Sequence, residues 1–214
     1  MVTRLIILLI SLWGGFSLAQ SDSVLIPENE NCKDGIYLTP TDFRKNNAIE
    51  KELIITPINK EQIDFYYKVT LEDKINFTYA STTFTLETKK IWGLVQNKTL
   101  FVNYKGNFYR VPVFGAICYF VGVIEVTGYY NGIYDPMYGM GTGRAVKTKE
   151  LHEFMMSFYN GKIFSFDIDY LDFLLQSDEE VYKQFKSLSK NKRKKQAIRF
   201  IRMYNEKHPI YYLK

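Results

Sequence analysis

Histidine is nearly missing from this chain, with only His152 and His208 among 214 residues, so proton transfer near neutral pH has few side chains to use. Cysteine is as scarce. Cys32 and Cys118 belong to no Cys-x-x-Cys pair and the two histidines stand 56 residues apart, which leaves no close ligand pair for a tetrahedral metal site. No metal and no cofactor is expected. Neither cysteine sits where a helix N-terminus or a nearby cation would activate its thiol, which argues against a Cys-His nucleophile. Long apolar runs are absent beyond residue 16, so nothing after that point reads as a transmembrane helix.

The exception at the start is informative. Arg4 supplies a positive charge, residues 5–16 are apolar except for Ser11, and Ser17-Leu18-Ala19 offers small residues at the positions a signal peptidase requires. A run of this length is too short to cross a bilayer core about 30 Å thick as a stable helix. Residues 1–19 are therefore expected to be a signal peptide cleaved at Ala19, with residues 20–214 forming one secreted or periplasmic domain. Export also allows Cys32 and Cys118 to pair. Closing so long a loop would stabilise by about 4 kcal/mol in the chain-entropy model. The apolar run around Cys118 equally suits a buried, inert thiol.

Charge is unevenly distributed. From residue 181 onward there are 11 Lys or Arg and one acid, Glu206, whereas residues 20–180 carry 16 basic and 22 acidic side chains. An acidic body joined to a basic segment implies either internal docking or a surface for an acidic partner.

Aromatic residues are plentiful, with 17 Tyr and 16 Phe, which favours half-buried sheet surface. After a polar lead-in over residues 21–31, Thr39-Pro40-Thr41-Asp42 reads as a capped helix start with proline at the first helical position. Residues 53–56, 63–70 and 74–79 read as strands. A meander follows over residues 85–95, 99–104, 107–114 and 116–127, its short turns implying antiparallel neighbours. Asn160-Gly161 marks a further hairpin between residues 151–159 and 162–167.

Between these hairpins, residues 128–143 read GYYNGIYDPMYGMGTG. Gly139, Gly141 and Gly143 do not form a phosphate loop, because Gly143 leads into the strand-like Arg144-Ala145-Val146 and not into a helix. An exposed loop or hairpin tip is expected. Farther on, Ser177 to Glu180 has the form of a capping box, opening the first of two C-terminal helices. The second spans about residues 191–206, with Ala197, Phe200, Ile201 and Tyr204 on one stripe and Lys192, Lys195, Arg199 and Arg202 on the opposite one. A short edge strand is expected over residues 210–213.

Few residues carry recognisable chemistry. His208 precedes Pro209 at a helix end and suits a capping role, while His152 lies on a presumed strand beside Glu153. Asp167, Asp169 and Asp172 would supply hard oxygens for Ca²⁺ but lack the loop glycine and bidentate glutamate; a turn and helix-start charge cluster fits them better. Asn76-Phe77-Thr78 and Asn97-Lys98-Thr99 match the N-glycosylation pattern. The stretch Lys190 to Lys195 would suggest nucleic acid in a cytosolic chain, but the leader argues against this and no nucleic-acid partner is expected.

Three segments, CKDGIYLTPTDF (residues 32–43), KIWGLVQNKTLFVNYKGNFYRVPV (residues 90–113) and YNEKHP (residues 204–209), together resemble an uncharacterised family of small secreted Bacteroidetes proteins. That resemblance implies an exported envelope protein and supplies no catalytic residue. In such a host the N-glycosylation pattern means little, while Asp22-Ser23-Val24 resembles the O-glycosylation pattern of the same bacterial group.

The expected fold is α+β, a mainly antiparallel meander of seven to nine strands, curled toward a barrel or open, carrying two C-terminal helices. The leading functional expectation is a non-enzymatic binding or structural module whose Lys192, Lys195, Arg199 and Arg202 meet an anionic membrane or glycan surface. Alternatives are a hydrolase using carboxylates or His152 and a binder of a small apolar ligand.

Overall fold

In the computed structural model, the described residues are 24–25, 32–130 and 144–213. The leader, the O-glycosylation pattern as a whole and the central part of the glycine- and tyrosine-rich segment lie outside them. The strands and helices run β1 (Val24–Leu25), β2 (Gly35–Tyr37), α1 (Pro40–Arg44), β3 (Ile54–Ile55), α2 (Phe65–Val69), β4 (Lys74–Tyr79), β5 (Thr82–Glu87), β6 (Gly93–Gln96) and β7 (Thr99–Tyr104). They continue with β8 (Asn107–Arg110), β9 (Ile117–Tyr130), β10 (Arg144–Ser157), β11 (Ile163–Ser165), α3 (Ile168–Leu175), α4 (Glu179–Lys186), α5 (Lys190–Lys207) and β12 (Tyr211–Tyr212). The fold is α+β, with antiparallel sheets in the orders β2-β6-β7-β8, β3-β4-β5 and β11-β10-β9, and a β1-β12 pair.

Period-2 alternation of side chains explains how these sheets stack. In β2 and β6, Ile36 and Leu94 point to one side, where Phe65, Val69, Ile54 and Ile75 join them. Their neighbours Tyr37 and Val95 point to the other side, into a cluster built on Phe43, Phe114, Phe120, Phe154 and Phe158. The base of the β9-β10 ribbon repeats the pattern. Cys118, Phe120, Phe154 and Met156 enter that aromatic cluster, whereas Ile117, Tyr119 and Met155 face the opposite way, against Leu171, Leu175, Val181, Phe185, Phe200 and Ile201 of the C-terminal helices. Three apolar layers thus alternate with two sheets that are buried on both faces at the middle of the molecule.

The turn chemistry follows the sequence closely. Asn97 and Lys98 both take positive φ, 51° and 58°, as a two-residue hairpin of the primed type requires, and Asp34 accepts the N–H groups of both at 2.8 and 3.0 Å. Thr39 and Asp42 form a reciprocal capping box on α1. Gly161, at φ 66°, turns directly under Pro40 and Trp92, where a Cβ would stand 2.3 Å from the proline ring.

Several expectations change. Residues 63–70 are not a strand: Phe65, Tyr66 and Val69 are buried on one face of α2, so the same apolar residues satisfy a helical period of three to four. The expected strand over residues 85–95 is broken at 88–90, where the Asn103 amide donates to the carbonyls of Thr88, Lys89 and Ile91 at 3.4, 3.2 and 2.8 Å. The strand expected over residues 107–114 ends at Arg110, ahead of Pro112, which cannot donate to a ladder. The meander is therefore divided among separate sheets and does not form a closed barrel among the described residues. Three C-terminal helices replace the expected two, because Asp167 caps α3 by accepting the Asp169 N–H at 2.9 Å. Asp178, and not Ser177, caps α4, accepting the Val181 N–H at 2.9 Å. Within the polar lead-in, Val24 and Leu25 pair with Tyr212 and Tyr211.

Candidate functional site: the basic helix and its cleft

α5 carries most of the chain's excess positive charge, and its packing sorts those cations into two groups. Ala197, Phe200 and Ile201 are buried against the ribbon base and the other C-terminal helices, with Phe200 set edge-on to Phe185 at 5.0 Å. Cations flanking this apolar stripe meet carboxylates of α3 and the start of α4. Arg193 lies 3.2 Å from Asp172 and 5.5 Å over the Phe185 ring. Lys190 reaches Asp169 at 3.1 Å, Lys186 of α4 also reaches Asp172 at 3.1 Å, and Lys207 contacts Glu180 and Asp178. The Val181 N–H, and then Lys207 and His208, hold the Asp178 carboxyl below its usual range.

Asn205 completes the docking. Its side-chain oxygen accepts from the Ile117 N–H at 2.9 Å and its NH₂ donates to the Ile117 carbonyl at 2.8 Å. Both bonds are buried.

The second group comprises Lys192, Lys195, Arg199 and Arg202, all exposed, with the exposed Lys194 beside them. No carboxylate among the described residues lies within ion-pair distance of any of them; Arg199 contacts only the side-chain oxygen of Gln196, at 3.4 Å. Their spacing of three, four and three residues keeps them on one side of the helix over about 15 Å of its length. At the C-terminal end, Arg202 faces a polar cleft of about 390 Å³ between α5 and the segment leaving β8, lined also by Arg110, Glu206 and Pro112. Arg110 is exposed and thus extends the basic face onto a second element. Sequence reasoning missed it, because an isolated arginine on a strand carries no pattern.

The other singled-out residues are dispersed. His152 stands on the β9-β10 ribbon, 3.3 Å from Glu150, while His208 closes α5, stacked on Tyr204 at 4.1 Å and 3.3 Å from Asp178. Asp167, Asp169 and Asp172 each engage a different partner, and among the described residues no group of three or more His, Cys, Asp or Glu is placed to hold a metal ion. Cys32 and Cys118 are free, buried thiols in one core cluster. Burial pushes the Cys118 thiol up to about 12, and the Cys32 thiol is also raised, chiefly by burial. Among the described residues no helix is long and apolar enough to cross a membrane. Comparisons with family models, with curated proteins and with solved structures give no match for this chain, so the family resemblance rests on the short motifs quoted above.

Proposed function

We propose that the chain is an exported, non-enzymatic binding module of the bacterial envelope that meets an anionic surface through the outer face of α5. The observation that carries this reading is the division of the helix's cations. Lys190, Arg193 and Lys207 are paired with carboxylates, whereas Lys192, Lys195, Arg199 and Arg202 are left unpaired along one side, with Lys194 unpaired next to them and Arg110 lining the same cleft as Arg202. A row of unpaired cations attracts an anionic layer by about 1 kcal/mol per charge close to the surface, and this attraction is screened by salt. A straight row on a rigid helix suits a flat or extended partner carrying phosphate or carboxylate groups.

The test is co-sedimentation of the leader-free protein with vesicles of phosphatidylglycerol and phosphatidylcholine, beside pull-down on a polyuronate. The parent protein is expected to bind one of the two anionic supports at low ionic strength and to be released as salt rises. Replacing Lys192, Lys195, Arg199 and Arg202 together by Gln should abolish that binding while leaving stability within about 1 kcal/mol, since exposed charges contribute little to folding. A parent protein that binds neither support at low salt would remove the basis of the reading.

A further inference from the structure

The β3-β4-β5 sheet outruns the core beneath it. Ile54 and Ile75 on its inner face are buried in the cluster around Leu94, but the same face continues along β4 and β5 to Tyr79 and Phe84, which are 63% and 45% exposed. Phe84 stacks on Phe77, with centroids 5.7 Å apart and planes at 23°. The hairpin joining the two strands turns through Ala80 and Ser81, both at positive φ, so Tyr79 is held at the end of a tight ladder. These three rings form one wall of a groove of about 490 Å³. Facing them are Asp42, Asn46, Asn47 and Glu50, on the segment that follows α1 or within it.

We propose that this groove is a binding site for a neutral oligosaccharide. Its volume falls within the range of small-ligand sites. Exposed and stacked aromatic rings offer flat apolar faces to the C–H face of a sugar ring. The opposite wall offers two carboxylates and two carboxamides; the Asp42 and Glu50 carboxylates keep spare lone pairs for hydroxyl groups after their internal bonds are made, and the Asn47 side chain is exposed. Three of those four are already fixed: Asp42 by the capping box with Thr39, Glu50 by Lys33 at 2.5 Å, and Asn46 by the Tyr37 hydroxyl at 3.1 Å. Little side-chain freedom is then lost on binding.

Two observations select among ligand classes. Lys33, Asp42 and Glu50 are the charged residues lining the groove, and together they leave it slightly negative, which disfavours the polyanions that suit α5. On the wall facing the rings, the Ile49 N–H and carbonyl are both taken by Ile36, at 2.8 and 3.0 Å. An extended peptide therefore finds no partner at Ile49, and the open edge of β5, which among the described residues pairs only with β4, is tested with an amphipathic leucine-lysine peptide.

The experiment is calorimetric titration of the leader-free protein with cellohexaose, maltohexaose, mannohexaose and chitohexaose. At least one is expected to bind, and Tyr79→Ala or Phe84→Ala should weaken it by about tenfold or more, as the loss of a stacking ring implies. Asn47→Ala, which removes an exposed carboxamide without touching the aromatic wall, should weaken the same ligand with the melting temperature unchanged. The variant with four glutamines on α5 should bind as the parent does, which separates this site from the basic face. Absence of binding to all four sugars at millimolar concentration would overturn the proposal. So would affinity indifferent to both ring deletions, or capture of an amphipathic leucine-lysine peptide in place of any sugar.

Discussion

Asn205 presents its amide to Ile117 in the way a neighbouring strand would, accepting from the N–H and donating to the carbonyl of one residue. Nothing in the local sequence announces this, because an asparagine within a basic helix reads as solvated. It became visible only when the helix was seated on β9. Truncating it leaves a buried donor and a buried acceptor without partners, so Asn205→Ala is expected to cost about 2–3 kcal/mol, measured as a lowered urea midpoint. Gly115 shares the same point of contact. A Cβ there would stand 2.3 Å from the Asn205 amide carbon, and Gly115→Ala should disturb the same junction. The thiols are a contrasting case, since the apolar run around Cys118 suited the burial seen here while leaving a disulfide equally open. Held protonated and enclosed, both cysteines should resist maleimide in the native protein and react on unfolding without reductant. A chain that takes up no label even when unfolded would show that the two had joined.

At the scale of elements, α5 was legible because its apolar residues recur at helical spacing and its cations fall on other faces. Which cations are paired was not legible, since that depends on α3, whose acidic start reads equally well as a turn. The consequence is a contrast between neighbours. Arg193→Gln removes a half-buried pair and a ring contact and should destabilise by about 1 kcal/mol or more, whereas Lys195→Gln should leave the urea midpoint unchanged. The short helix α2 was misread for a physical reason: five residues with apolar side chains at both the second and the fourth spacing suit either period. The long ribbon was legible as far as its pairing, but not in its support. Beyond Ile124, which packs on the aromatic cluster, the last five pairs from Thr148↔Val126 to Arg144↔Tyr130 adjoin no further strand among the described residues. A two-stranded ribbon standing alone is marginal in water, so the amides of residues 126–130 and 144–148 should exchange hydrogen far faster than those of residues 117–120.

For the molecule as a whole, the stacking of sheets buries ionisable groups in their neutral form. Burial raises the Cys118 thiol from its ordinary value of 9.0 to about 12 and the Tyr66 hydroxyl from 10.0 to about 12. It raises the Tyr37 and Tyr212 phenols as well. The unfolded chain releases these protons first. Their contribution to stability is therefore intact below about pH 9 and is lost as pH climbs toward 12. The urea midpoint should be level on this account from pH 7 to 9 and fall steadily above that, with phenolate absorbance appearing together with unfolding. The aromatic abundance that produces this behaviour was plain from composition. The order of the layers was not, because alternation shows that a strand has two faces without saying what covers each.

The unsupported end of the ribbon also gives the protein a particular behaviour in flow. A compact chain of this size has a radius of gyration of about 17 Å, and among the described residues the last five pairs of the ribbon span about 17 Å. The molecule should consequently tumble and sediment more slowly than a sphere of equal mass. Its X-ray scattering should show a maximum dimension drawn out along one direction, and removal of residues 126–148 with a short turn in their place should bring both quantities back toward those of a sphere.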